Sequence, residues 1–148
     1  MTRRTRRRPR AGAQVEFPYL KDPAGRFAPI VSLRIWAKNR WIYLQAYVDS
    51  GASWSILHAD IAELLSLRVS RMKKQYMALG NGSVIPVSLH RVRVQFGGAE
   101  FTVPVGFSDA LKVGFNLLGR AGFFDRFIVC FNDRDRVLTA IPTVRPTR

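Results

Sequence analysis

From Trp41 to Val48 the chain interleaves aromatic and β-branched side chains with smaller or polar ones, the pattern of a β-strand, and the run stops abruptly at Asp49-Ser50-Gly51. A chain that sets a carboxylate at the mouth of a strand and follows it closely with glycine has to turn there. Gly51 lets the backbone fold back and leaves N–H groups free to point at the Asp49 oxygens, which fixes the carboxyl plane. Ser50 adds a hydroxyl that can donate and accept at once. Taken locally, Asp-Ser-Gly is ordinary turn chemistry. Just upstream, Ile30 to Trp36 is a second strand, and a turn through Lys38-Asn39-Arg40 joins the two into a hairpin that delivers the carboxylate.

The remaining pattern is also mainly that of strands. Trp54 to Leu57 reads as a short strand and His58 to Leu65 as a short helix with Ile61, Leu64 and Leu65 on one face. Two extended arms, Met72 to Leu79 and Val84 to Phe96, surround the glycine-rich tip Gly80-Asn81-Gly82-Ser83, where Asn-Gly supplies the positive φ angles of a tight hairpin. In the second arm Val87 and Leu89 occupy odd positions but Val92, Val94 and Phe96 even ones, which implies a bulge or bend near His90. Phe101, Val103, Val105 and Phe107 form a period-2 face, and Pro104 within it points to a strand edge or a bulge. After a loop from Asp109 to Gly114 and the apolar run Phe115 to Leu118, a short amphipathic segment covers Ala121 to Phe124. Strands follow over Phe127 to Phe131 and Val137 to Ile141, joined by a polar turn at Asn132 to Arg136. Asp133 and Asp135 sit among arginines in that turn and read as solvated. Earlier in the chain, Gln14 to Phe27 carries Pro and Gly turn signals and is expected to lie over the domain rather than inside it.

The 148 residues suit one domain, and no apolar run approaches the length of a membrane span. A single cysteine, Cys130, excludes a disulfide framework within one chain and is expected to be a buried small hydrophobe. The two histidines, His58 and His90, lie in different elements without carboxylate or thiol neighbours at ligand spacing, so no metal site and no cofactor is expected. Lys and Arg total 24 against 10 acids, a formal charge of +14, and six of the arginines crowd into Arg3, Arg4, Arg6, Arg7, Arg8 and Arg10. That opening cannot bury apolar area and reads as a disordered arm over 1–13, ahead of a single domain at 14–142 and a tail at 143–148. Its arginine pairs are not followed by an apolar h-region, so cytoplasmic residence is expected and no membrane partner.

The order of Val48-Asp49-Ser50-Gly51-Ala52-Ser53, a glycine-bearing hairpin, and then Asn116-Leu117-Leu118-Gly119-Arg120 resembles the retropepsin family, the small aspartic proteases of retroviruses, and more closely their stand-alone bacterial relatives. The resemblance covers about residues 29–131. It implies an all-β, retropepsin-like acid protease fold: a closed, barrel-like β-domain with a flap hairpin and one or two short helices, active as a homodimer. It implies further that Asp49 is the catalytic carboxylate, with Ser50 and Gly51 completing the motif. Ser50 stands where many members have Thr and would bond across the dimer axis, and Ala52 and Ser53 line the substrate side of the loop. Gly80, Asn81 and Gly82 would form the tip of a flap that closes over a peptide or protein substrate. Gly119 and Arg120 are structural and begin the family's C-terminal helix. One departure matters: retroviral members commonly place a second Asp four positions after the first, paired to that arginine, whereas this chain has Ser53.

Aspartic proteolysis needs two carboxylates about 3 Å apart sharing one proton, because two adjacent negative charges cannot both persist. One Asp-Ser-Gly per chain therefore calls for a second copy of the chain. Two other readings stay open on the sequence. A non-catalytic dimeric domain of this fold could bind peptides without cutting them, or the arginine arm could hold nucleic acid through its phosphates.

Overall fold

The computed structural model describes residues 14–71, 73–79, 81–110 and 116–143. Twelve strands follow one another as β1 (Val15–Pro18), β2 (Leu20–Lys21), β3 (Phe27–Ala28), β4 (Ile30–Ala37), β5 (Arg40–Val48), β6 (Ser55–His58), β7 (Lys74–Ala78), β8 (Val84–Phe96), β9 (Ala99–Ser108), β10 (Asn116–Leu118), β11 (Phe127–Asn132) and β12 (Val137–Pro142), with one α-helix, α1 (Ala59–Leu64), after β6. The arginine arm and the end of the tail lie outside the described residues, as do Gly80 and Phe115.

The main sheet runs β4-β5-β10-β6-β9-β8-β7, and β4 also pairs with β8 through Arg34↔Gln95 and Ile35↔Val94. That extra pairing closes six strands into a barrel and leaves β7 as a spur on β8, so within this sheet, among the described residues, only β7 ends in a free edge. The hairpin β4–β5 turns at Lys38 (φ 50°) and Asn39 (φ 59°), the two left-handed residues a two-residue hairpin turn demands. A second sheet, β1-β12-β11, lies against the barrel. It draws part of the segment 14–27 into the structure: Val15–Pro18 pairs with β12 and Tyr19 is buried, so this stretch does more than lie over the surface.

Two apolar clusters hold the chain together. The larger fills the barrel with Val31, Leu33, Ile35, Val48, Val92, Val94 and Phe107, and at its lower end Phe96 stacks on Phe17 (ring centroids 4.9 Å apart) and meets Phe123 and Phe127 edge-on. The smaller joins Met77, Ile85 and Val87 of the β7–β8 hairpin to Ile56 of β6. These two clusters explain the phase change in β8. The register with β9 runs unbroken from Ser88↔Phe107 to Phe96↔Ala99, so there is no bulge near His90. Instead the first half of the strand buries its odd face in the small cluster and the second half buries its even face in the large one.

Two further expectations are corrected. Cys130 is exposed, because it sits on the outward face of β11, the edge of the three-stranded sheet, where Phe127 supplies the buried contact. The segment Arg120–Phe124 is a kinked turn rather than a regular helix, since Ala121 is extended (φ −67°, ψ 123°) and Gly122 is left-handed (φ 79°). Pro104, by contrast, behaves as its position predicts: β6 pairs with β9 only from Val105 onward, so Pro104 stands at a local edge where no hydrogen bond is required of it.

Tyr19 ties the two sheets. Burial first, and then the 2.8 Å hydrogen bond its hydroxyl donates to Asp133, push its phenol up to about 12. A phenol raised by folding stabilises the native state only while neutral, so its contribution is complete below the ordinary value of about 10 and is lost as pH rises through about 12. Urea unfolding of the wild type is therefore expected to show stability falling across that window. Tyr19→Phe should lose about 1 kcal/mol at neutral pH and lack that part of the alkaline decline.

Candidate active site

Asp49 is placed by the last residues of β5 and by a strand that arrives much later in the chain. β10 inserts between β5 and β6, parallel to the first (Asn116↔Ala46 to Leu118↔Val48) and antiparallel to the second (Leu117↔Ile56). The Asp49 N–H donates to the Leu118 carbonyl at 2.9 Å, continuing that ladder one residue past β5. To pass from β5 to β6 the backbone must go around the end of β10, and residues 49–54 are that passage. Within it the Gly51 N–H donates to Asp49 Oδ1 at 2.8 Å and the Ala52 N–H to the Asp49 carbonyl at 3.2 Å, so the carboxylate plane is fixed by its own turn as Asp-Ser-Gly implies. A Cβ on Gly51 would lie 3.2 Å from the same carboxylate oxygen, crowding the bond.

The far side of the passage is tied to the chain leaving β10. Arg120 N–H donates to the Ala52 carbonyl at 2.8 Å, and Ala121 N–H to the Ser53 carbonyl at 2.9 Å. Gly119 is wedged between: a Cβ there would collide with the Trp54 carbonyl and stand 2.8 Å from that of Ala52, so close approach requires glycine although its backbone is extended. Its N–H donates to the buried Ser55 hydroxyl at 3.0 Å. The Arg120 guanidinium reaches Ser53 Oγ at 3.4 Å, so the serine that replaces the expected acid does face the arginine, at the long limit of a hydrogen bond and without the counter-charge an acid would supply.

Asp49, Gly51, Ala52, Ser53, Gly119 and Arg120 thus form one hydrogen-bonded knot, with Asp49 half-buried and Ser50 exposed on its rim. Asn81 and Gly82 lie apart from it, at the tip of the β7–β8 hairpin. There Asn81 Oδ1 accepts from the Ser83 N–H (3.0 Å) and hydroxyl (2.6 Å), and Gly82 takes φ 82°. What links hairpin to knot is apolar: Trp54 and Leu117, on either side of it, pack on the same small cluster as Met77 and Ile85. Asn116 was not singled out for a role by the sequence. Buried in β10, it accepts the His58 N–H at 3.0 Å and donates to the Gln45 carbonyl at 3.0 Å, bridging the strands on either side. A lone amide in an otherwise apolar run was the available signal. Among the described residues no group of three or more His, Cys, Asp or Glu side chains converges as a metal site would, and no helix is long and apolar enough to cross a membrane.

No protein-family model and no curated protein matches the chain. Solved structures do match its fold. The crystal structure of a retropepsin-like aspartic protease from Rickettsia conorii superposes with a TM-score of 0.61 and 19% sequence identity, over 86% of this chain and 91% of that one. The barrel with its spur hairpin is therefore a retropepsin-like fold.

Because Asn116 satisfies one backbone group on each neighbouring strand, Asn116→Leu would leave both without that partner at part-buried positions. It is expected to lower unfolding free energy by about 2–4 kcal/mol in urea titrations. A loss near zero would show that the amide does not hold β5 and β6 together.

Proposed function

We propose that the protein is an aspartic endopeptidase whose site is assembled from two copies of the chain. The observation that carries this reading is the Asp49 knot: one carboxylate, oriented by a backbone amide and held on a loop too small to stray, on a fold shared with a retropepsin-like aspartic protease. Three other aspartates have different employment. Asp22 accepts from the Arg26 backbone and side chain, Asp133 from Tyr19, and Asp135 from Asn132. A lone carboxylate is a poor peptidase, so the second must come from a symmetry mate across a two-fold axis.

In the dimer the two Asp49 groups share one proton. The ionised one takes a proton from a water as it attacks the scissile carbonyl, and the protonated one hydrogen-bonds the carbonyl oxygen as charge builds there. The proton then passes to the leaving nitrogen, and the pair returns to its starting state. Ser50, exposed beside Asp49, would bond across the axis. The β7–β8 hairpin acts as the flap, with Met77, Ile85 and Val87 as its apolar underside against Ile56.

Asp49→Asn is expected to abolish cleavage of a peptide library read by mass spectrometry while leaving circular dichroism unchanged. Mixed with wild type it should poison activity through heterodimers, and wild-type specific activity should fall on dilution. Activity that persists undiminished at a concentration shown to be monomeric would defeat the two-chain site.

The flap role makes a separate demand on Gly82, whose φ of 82° no β-branched residue adopts without strain. Gly82→Val should cut turnover at least about tenfold with a much smaller effect on stability, since the tip is exposed and open space surrounds the missing Cβ. Unchanged turnover would mean the hairpin is not a lid.

A further inference from the structure

The outer face of the barrel carries a feature that proteolysis does not use. Across β5, β4 and β8, outward side chains line up in rows set by the register: Tyr43, Arg34 and Gln95 in one, Trp41, Trp36 and Arg93 in the next. In both rows a guanidinium lies on aromatic rings. Arg34 sits 5.2 Å from the Tyr43 centroid, and Arg93 sits 5.3 Å from those of both Trp36 and Trp41, which themselves meet edge-on at 5.2 Å. Tyr43 is 70% exposed, far more than a tyrosine on a sheet needs to be, so the ring face away from Arg34 is open to solvent. Lys38 and Arg40 extend the positive charge around the hairpin turn, and Arg91 extends it along β8. Glu100 is the single carboxylate among the outward positions of β4, β5, β8 and β9, and it is already paired to Arg93. Beside Tyr43 and Arg34 the surface dips into a cavity of about 480 Å³, shared with Gln95, Gly98 and Glu100, within the roughly 300–1,000 Å³ range of small-ligand pockets.

We infer that this face binds single-stranded nucleic acid, with the exposed Tyr43 ring stacking a base beside the Arg93-capped Trp36–Trp41 pair and Arg34, Lys38 and Arg40 tracking phosphates. The chemistry is specific to the arrangement. An acidic protein surface would answer the charge without using the open Tyr43 ring as a stacking platform, and a duplex hides the base faces it would stack on, whereas a single strand presents bases and phosphates together. Gln95, half-buried at the cavity wall, donates its amide N–H to Glu100 at 3.4 Å, and its carbonyl oxygen is the group that would accept from a base edge. The site lies on the barrel wall, away from the Asp49 knot, and is independent of the arginine arm and of the proposed peptidase activity.

The test uses the full chain with its six arm arginines replaced by serine, so that the arm cannot supply the affinity. A fluorescein-labelled short oligothymidylate is titrated by anisotropy at several salt concentrations while tryptophan emission is followed. The expected result is salt-sensitive binding that quenches tryptophan fluorescence. Tyr43→Ala should weaken it about tenfold, and Arg34→Ala should reduce the slope of log affinity against log salt by about 0.7. Both substitutions are at exposed positions, and circular dichroism checks the fold; Asp49→Asn should bind as well as the parent. The inference is overturned if the arm-neutral chain does not bind. It is equally overturned if both substitutions leave binding unchanged, or if a polyglutamate peptide or a duplex competes as well as the oligothymidylate, since any of these would reduce the face to adventitious charge.

Discussion

The close approach of Gly119 to the carbonyls of Ala52 and Trp54 is the contact on which the site depends. β10 is only three residues long, with Leu118 in the main core and Leu117 against the smaller cluster, and it fills the gap between β5 and β6 and so completes the barrel. For its end to pass beneath the Asp49 loop, the two backbones must come closer than any side chain permits. Three hydrogen bonds then replace water on groups that have been driven together: Gly119 to Ser55, Arg120 to Ala52 and Ala121 to Ser53. Barrel closure and carboxylate placement are thus one event.

The β7–β8 hairpin stands in a different relation to that frame. It projects from β8 beyond the ring and is fastened by a small satellite cluster rather than by the main core. Fewer apolar contacts mean a lower cost of local opening, which is what a covering element needs. Long β8 serves both regimes because its two halves bury opposite faces. The same strand is rigid where it closes the barrel against β4 and freer where it carries the spur.

Much of this was legible in the residues. Hydrophobic alternation located β4, β5 and β9 to within a residue or two, and the Lys38-Asn39 turn and the Gly51 amide bond to Asp49 follow from local chemistry that acts over two or three positions. The order of motifs anticipated the retropepsin-like fold. What failed was tertiary. A phase change in β8 reads as a bulge when one core is assumed, and the existence of two cores is not a local property. Cys130 reads as buried because its neighbours are apolar, but β11 lies at a sheet edge where one face has nothing to cover it. The role of Asn116 depends on which strands flank β10, and no spacing along the chain discloses that.

The knot also joins distant parts of the sequence: Gly119 and the Ser55 hydroxyl it bonds are 64 positions apart, and everything that shapes the Asp49 loop from below belongs to the last third of the chain. Such long-range pairing carries a loop-closure cost that the local hairpins between do not. During synthesis the carboxylate emerges early but remains on an unbraced turn until the residues of β10 and the Gly119-Arg120 step have followed it. The chain thereby carries its own timing device, in which the Asp49 loop acquires its shape only once residues 116–121 have joined it.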